Sequence, residues 1–217
     1  MQQKATATII TLQVGELETN CYVVACPETR EAAVIDPGGA AARILEALQE
    51  GGLTARFVLN THCHFDHIGA NARVVEATGA PLALHPLELP ILEARGGDDW
   101  FGLQIDASPS PAIELDVGQV LEVGTLKIEV LHTPGHSPGG LTFYAEQAGA
   151  AFDGDLLFNN GVGRTDLPGG SWDTLIHSVR EVLFNLPDET VIYPGHGPAT
   201  TVGEEKRSNL FVKTATP

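Results

Sequence analysis

The segment Thr61-His62-Cys63-His64-Phe65-Asp66-His67 packs three imidazoles and one carboxylate into six positions, a density that ordinary core or surface duties do not require. The preceding RFVLN reads as a buried strand. The backbone is therefore extended at His62 and His64, and side chains two apart fall on the same side. Those two imidazoles can meet one cation. Asp66 and His67 come where the chain turns into a helix. The positive helix end favours a carboxylate there, and the turn aims His67 away from the first pair, which suits a second cation.

Three more groups sit directly after predicted strands: His136 in TPGHSPG, Asp155 in AFDGD and His196 in IYPGHG. Each is flanked by Gly or Pro, whose backbone turns sharply enough to point a side chain inward over a sheet edge. Seven candidate ligands result. His62, His64 and His136 would hold one metal, Asp66, His67 and His196 another, with Asp155 bridging both. Mixed imidazole and carboxylate donors suit Zn²⁺, Fe or Mn²⁺, whereas Ca²⁺ and Mg²⁺ prefer oxygen shells. Two divalent metal ions are expected, zinc foremost. His85, His132 and His177 are read as structural or supporting residues, and Cys63, aimed away from its histidine neighbours by strand alternation, as a packed thiol.

The elements that must position these groups are short and strand-rich. ATATIITLQV, NCYVVACPE and EAAVIDPGG read as three strands, and AARILEALQE as a helix with Ala41, Ile44, Leu45 and Leu48 on one stripe, stopped by Gly51 and Gly52. HIGANARVVEATG is expected as one helix with Ile68, Ala72 and Val75 inward, followed by the strand APLALH. Residues 86–111 read as helical turns and loop. LEVG, TLKIEVLH, LTFYAEQAG and AAFDGD are strand-like. SWDTLIHSVREVLFNLP is the clearest helix, capped by Ser171, with Trp172, Leu175, Ile176, Val179, Val182 and Leu183 apolar. ETVIYPGHG is expected as the last strand, followed by one short helix. Helices interspersed among strand pairs imply layered α/β packing.

Composition narrows the function classes. With 217 residues, 43% hydrophobic and 18% charged, the chain can close around one core, which excludes fibrous and wholly disordered classes. Its formal charge of −16 repels phosphate backbones and anionic lipid, so neither nucleic acid nor membrane is an expected partner. No apolar run is long enough to span a bilayer, and the first residues do not resemble a secretory leader. Cys21, Cys26 and Cys63 form neither a disulfide framework nor a four-thiolate zinc site, which fits a reducing, cytoplasmic location.

THCHFDH, TPGHSPG, FDGD and YPGHG together resemble the metallo-β-lactamase-fold hydrolases. GVGRTDLPGG with PGHGPATTVGEEK resembles the short bacterial branch of the hydroxyacylglutathione hydrolases, the type II glyoxalases. The resemblance spans essentially the whole chain. It implies a four-layer αββα sandwich with a binuclear metal cleft at one edge of two sheets, and the same seven ligands. It also implies one domain over residues 1–217, without the separate C-terminal helical domain that longer members add for glutathione. The activity implied is hydrolysis of small-molecule thioesters, glutathione-derived ones included, by a metal-bridging hydroxide, with Asp66 orienting that hydroxide and accepting its proton. The persulfide dioxygenases share THCHxDH and GRTD but use one iron held by two histidines and an aspartate, which would match His62, His136 and Asp155. Their final histidine segment resembles PAHD where this chain has PGHGPAT, which favours the hydrolase. Arg164 in GVGRTD is a candidate substrate-binding cation, with an ion pair to Asp166 or Asp173 as the structural alternative. Trp100 and Phe101 are candidates for an apolar wall over the cleft.

Overall fold

The computed structural model describes residues 7–212. The first sheet is formed by β1 (Thr8–Val14), β2 (Thr19–Ala25), β3 (Glu31–Ile35), β4 (Thr54–Leu59), β5 (Leu82–Leu84) and β6 (Ile113–Glu114), hydrogen-bonded in sequence order. β1 to β3 are antiparallel neighbours, and β3 to β6 run parallel. The parallel pairs demand crossovers. α1 (Ala41–Glu50) makes one, and α2 (Phe65–Ile68) with α3 (Asn71–Thr78) makes the next; α4 (Leu89–Glu93) lies in the third.

The second sheet begins with β7 (Val120–Val123), β8 (Leu126–His132), β9 (Leu141–Ala145) and β10 (Ala150–Gly154). A two-stranded ribbon, β11 (Leu157–Phe158) and β12 (Gly161–Val162), leads to α5 (Trp172–Glu181). β13 (Val191–Pro194) then returns parallel to β10, and β14 (Thr200–Thr201) closes the edge before α6 (Val202–Ser208).

Three apolar layers hold the sandwich together. Between the sheets, Val24, Ile35 and Leu59 of the first meet Ile128, Val130, Phe143 and Phe152 of the second, all fully buried. Outside the first sheet, Val23, Val34 and Val58 pack under Ile44, Leu48 and Val74 from the helices. Outside the second, Ala151 and Ile192 pack under Leu175, Val179 and Leu183. β2 faces apolar layers on both sides, and every one of its residues is buried. The four-layer αββα expectation is thus met.

Several local expectations need correction. HIGANARVVEATG is two helices, not one, because the chain breaks at Gly69 and Ala70, where the Ala70 N–H is taken by Pro37 O. The fully buried positions of α3 are accordingly Asn71 and Val74, while Val75 packs half-buried at the edge of the same layer and Ala72 is half-buried. Trp172 opens α5 with 45% of its surface exposed, so the apolar stripe begins at Leu175. β13 is followed by a further two-residue strand.

Candidate metal centre

The strands deliver the chemistry at their carboxyl ends. β4 runs out into Asn60-Thr61-His62, and α2 starts with Phe65, placing Asp66 and His67 in its single turn. β8 and β9 bracket the loop carrying His136, β10 ends one residue before Asp155, and β13 ends two before His196. The two sheets open onto this edge together, so segments far apart in sequence converge.

The ligand-capable atoms of His62, His64 and His136 lie within 4.8 Å of one another, as do those of Asp66, His67 and His196. Asp155 stands between the sets. Its Oδ1 is 3.4 Å from His67 Nε2, and its Oδ2 is 3.7 Å from His136 Nε2 and 3.6 Å from His196 Nε2. All seven predicted residues are therefore gathered in one place. His62 Nε2 is buried without a hydrogen-bond partner, and the buried His67 Nε2 and Asp155 Oδ1 have only their long 3.4 Å approach to each other. Such orphaned groups cost roughly 1–3 kcal/mol each unless something else satisfies them. A pair of cations would do so, and the donor set fits zinc, iron or manganese.

Hydrogen bonds settle which nitrogens are free. His136 Nδ1 is 2.7 Å from the Arg164 carbonyl and must donate to it, which leaves Nε2 as a lone pair. His64 Nδ1 sits 2.8 Å from that Nε2, so both nitrogens bear on one point. Burial lowers the His62 and His136 pKa values and, with His136 alongside, pushes His64 down to about 3. This set is neutral and ready to ligate. For His67 burial works in the same direction, yet Asp66, Asp155 and Asp36 hold its pKa well above the ordinary value. His196 is likewise raised against burial by its 3.1 Å contact with Asp66 Oδ2. Burial alone would raise Asp66 and Asp155, but the neighbouring His67 charge dominates, with hydrogen bonds helping, and keeps both below the usual carboxylate range. Protons on the second set therefore occupy the electrostatic role of cations.

Two acids outside the predicted set organise the ligands. Asp36 accepts from Thr61 N at 2.7 Å and Thr61 Oγ1 at 2.6 Å, and its Oδ2 is 3.0 Å from His67 Nδ1. Thr61 Oγ1 also faces His62 Nδ1 at 3.1 Å. Asp36 thus fixes His67 directly and His62 through a hydroxyl, leaving both Nε2 atoms toward the cluster. It does so from a left-handed backbone (φ 50°), a strained state for a residue with a side chain. Glu88, fully buried, accepts Cys63 N at 2.8 Å and Gly139 N at 2.7 Å, one oxygen each. It ties the first histidine segment to the His136 loop. Asp36 left a legible trace, standing at a strand end before Pro-Gly-Gly, the same punctuation that marks His136, Asp155 and His196. Glu88 left none.

Smaller contacts complete the frame. Thr19 Oγ1 donates to Asp66 Oδ2 at 2.8 Å, and Asn20 Nδ2 donates to the carbonyls of Pro194 and Gly197 on either side of His196. At Gly195, an added β-carbon would overlap Asp155 Oδ1 and the His67 ring, so the close approach demands glycine.

The cluster floors an open cleft of about 390 Å³. Phe101 lines it, ring against Phe65 at 4.9 Å, whereas Trp100 is 60% exposed and does not, so only half of the expected aromatic wall is present. Arg164 also lines the cleft, but its guanidinium is bonded twice to Asp166, at 2.7 and 2.8 Å. Its backbone supports His136. No cysteine lines the cleft: Cys21, Cys26 and Cys63 are buried, and burial pushes the Cys63 thiol far up. Gly135-His136-Ser137-Pro138-Gly139 carries the spacing of a serine nucleophile elbow, which the expectation of purely metal-borne chemistry passed over. Ser137 is fully buried, does not line the cleft and leads into β9 rather than a helix, so the motif lacks its required context. His85 and His132 stack on each other at 4.5 Å, and exposed His177 lies on the outer side of α5.

Residues 14–196 match the metallo-beta-lactamase superfamily. The chain belongs to that superfamily. With membership come the hydrolase class and the metal-binding donor set. The chain is similar to the Haemophilus influenzae hydroxyacylglutathione hydrolase GloC, 36% identical over 94% of this chain and 97% of the relative. It is also similar to the mitochondrial persulfide dioxygenase ETHE1 of Bos taurus, 34% identical over 88% of this chain and 70% of that one. Among solved structures it superposes on BLEG-1 B3 metallo-beta-lactamase with a TM-score of 0.90, at 36% identity and covering 95% of this chain and all of the other (100%). It superposes on TTHA1623 in a di-iron-bound form at 0.86, with 42% identity and coverage of 93% and 99%. No helix among the described residues is long and apolar enough to cross a membrane.

Proposed function

We propose that this chain is a thioester hydrolase working with two divalent ions, zinc foremost, and that hydroxyacylglutathione-type thioesters are the first substrates to test. The reading rests on one observation: two ligand sets meet at Asp155 beneath an open cleft, whose floor is lined by His64, Asp66, His136, Asp155 and His196, with His62 and His67 buried behind them. Similarity to GloC supports the thioester.

When bound, such ions supply Lewis acidity and lower the pKa of water so that hydroxide exists near neutrality. His62, His64 and His136, whose imidazoles are held neutral, would hold the first ion. Asp66, His67 and His196 would hold the second once His67 and His196 give up their protons, with Asp155 standing between the two sets. Asp66 is the proton acceptor: its carboxylate is held ionised and opens on the cleft, while Thr19 and His196 fix Oδ2 in place. Phe65 and Phe101, ring against ring, give one side of the cleft mouth an apolar edge.

The test is metal content measured on the same preparation as turnover of S-lactoylglutathione, other thioesters, a β-lactam and glutathione persulfide. Two metals per chain with thioester hydrolysis, and loss of turnover in His64→Ala with the fold retained, are expected. One iron per chain with oxygen uptake on the persulfide would replace this reading with the dioxygenase.

A further inference from the structure

The walls of the cleft bear on what flanks the scissile carbonyl. Above the polar floor they are Leu17 from the β1–β2 turn, Phe65 with Phe101, Phe158 and Val162 from the ribbon, and Leu167. Against these six apolar side chains the lining holds one Lys or Arg among the described residues, Arg164, and the Nε–Nη2 edge of its guanidinium already faces Asp166. A glutathione moiety carries two carboxylates and one ammonium. Recognising it calls for unspent charged partners, and its net negative charge meets a chain of formal charge −16.

Building on the thioester reading, we infer that the cleft selects thioesters with an apolar, uncharged acyl arm, aliphatic or aryl, and does not use the charges of glutathione. Water adds to the carbonyl, the C–S bond breaks, and the products are a carboxylic acid and a thiol, so no further reactant is required. Each methylene seated against such walls is worth about four-fold in kcat/KM until the cavity is full.

The experiment uses the metal-loaded full chain and an acyl series from acetyl to octanoyl on two thiols, glutathione and the uncharged N-acetylcysteamine. S-alkyl thioethers of the same two thiols serve as non-hydrolysable binding probes. The expected result is a rise of about four-fold per methylene on both thiols, with no advantage for glutathione. Phe101→Ala should flatten the slope without changing metal content. Asp166→Asn, which frees Arg164, should lower KM for the glutathione series alone. A flat series with S-lactoylglutathione as the best substrate overturns the inference. If no thioester is hydrolysed by fully loaded protein, the hydrolase reading fails, and thioether affinity still decides on the apolar arm: a rise with chain length keeps it, a flat response ends it.

Discussion

Replacing Glu88 by Gln keeps the side chain's size and removes one acceptor from the strut between the first histidine segment and the His136 loop. In the native protein each carboxylate oxygen receives one backbone N–H, from Cys63 at 2.8 Å and from Gly139 at 2.7 Å. Whichever way the amide is turned, its NH₂ faces one of those donors. The variant therefore loses a charge-assisted hydrogen bond and leaves a buried N–H unpaired, together about 2–4 kcal/mol. Part of that is returned, because burial disfavours the carboxylate's charge and pushes its pKa up, a cost the neutral amide does not carry. The net expectation is about 2 kcal/mol of lost stability in the metal-free protein. Both released segments carry first-set ligands, so affinity for the ion held by the first set should fall about 10–100-fold, more than for the ion at the second. Urea unfolding of metal-free protein reads the stability, and competition titration with a chelating dye reads each affinity. A variant with the native urea midpoint and native first-metal affinity would refute the strut.

Asp36→Asn should likewise cost about 10–100-fold in metal affinity, near 1.4–2.7 kcal/mol, but across both sets, since Asp36 orients His67 directly and His62 through Thr61. Equal binding by native and variant protein in the same titration would remove that role. Gly195→Ala should abolish binding of at least one metal, because the new methyl occupies the space between Asp155 and His67; two metals per chain in the purified variant would contradict it. Trp100→Ala should leave thioester turnover within about two-fold, since the ring stands clear of the cleft.

The convergence of the candidate ligands was legible because they obey local rules. His62 and His64 alternate off a strand, Asp66 and His67 begin a helix, and His136, Asp155 and His196 each follow a strand beside Gly or Pro. The layered fold followed from the same strand punctuation. What the sequence hid depends on contacts across the molecule. Glu88 sits in a short helical turn with nothing nearby to mark it, and its role exists only because Cys63 and Gly139 arrive 25 and 51 residues away. The break between α2 and α3 has the same origin. HIGANARVVEATG has helical periodicity throughout, but the Ala70 N–H is claimed by Pro37 and Asn71 is drawn inward to Asn60, which turns the helix face by one position. Trp172 likewise fits the stripe of α5 by number, yet its partner is exposed Phe211 rather than the core.

The proton arrangement of the metal-free cluster makes stability and metal uptake depend on pH in opposite ways. His67 and His196 have raised pKa values in the folded protein, so they contribute stability below the ordinary imidazole value, and this is lost as pH rises through their folded values. Asp66 and Asp155 are lowered, so their contribution is present above the ordinary carboxylate range and lost on acidification. Below the ordinary imidazole value the depressed His62, His64 and His136 take up protons more readily in the unfolded chain, which costs stability on acidification. Metal-free protein should therefore be most stable near that value and weaken above neutrality as His67 and His196 lose their protons. Metals displace the protons of the second set but none from His62, His64 and His136, which are already neutral. Loading at about 1,000 times Kd adds about 4 kcal/mol, and that gain should widen with pH as the metal-free protein loses ground. Calorimetric titration in buffers of differing ionisation enthalpy, with native protein compared with His64→Ala, should show proton release with the equivalent that fills the second set and little with the one that fills the first. If loaded and metal-free proteins lost stability in parallel above neutrality, with no proton release on either equivalent, protons would not be standing in for cations at this centre.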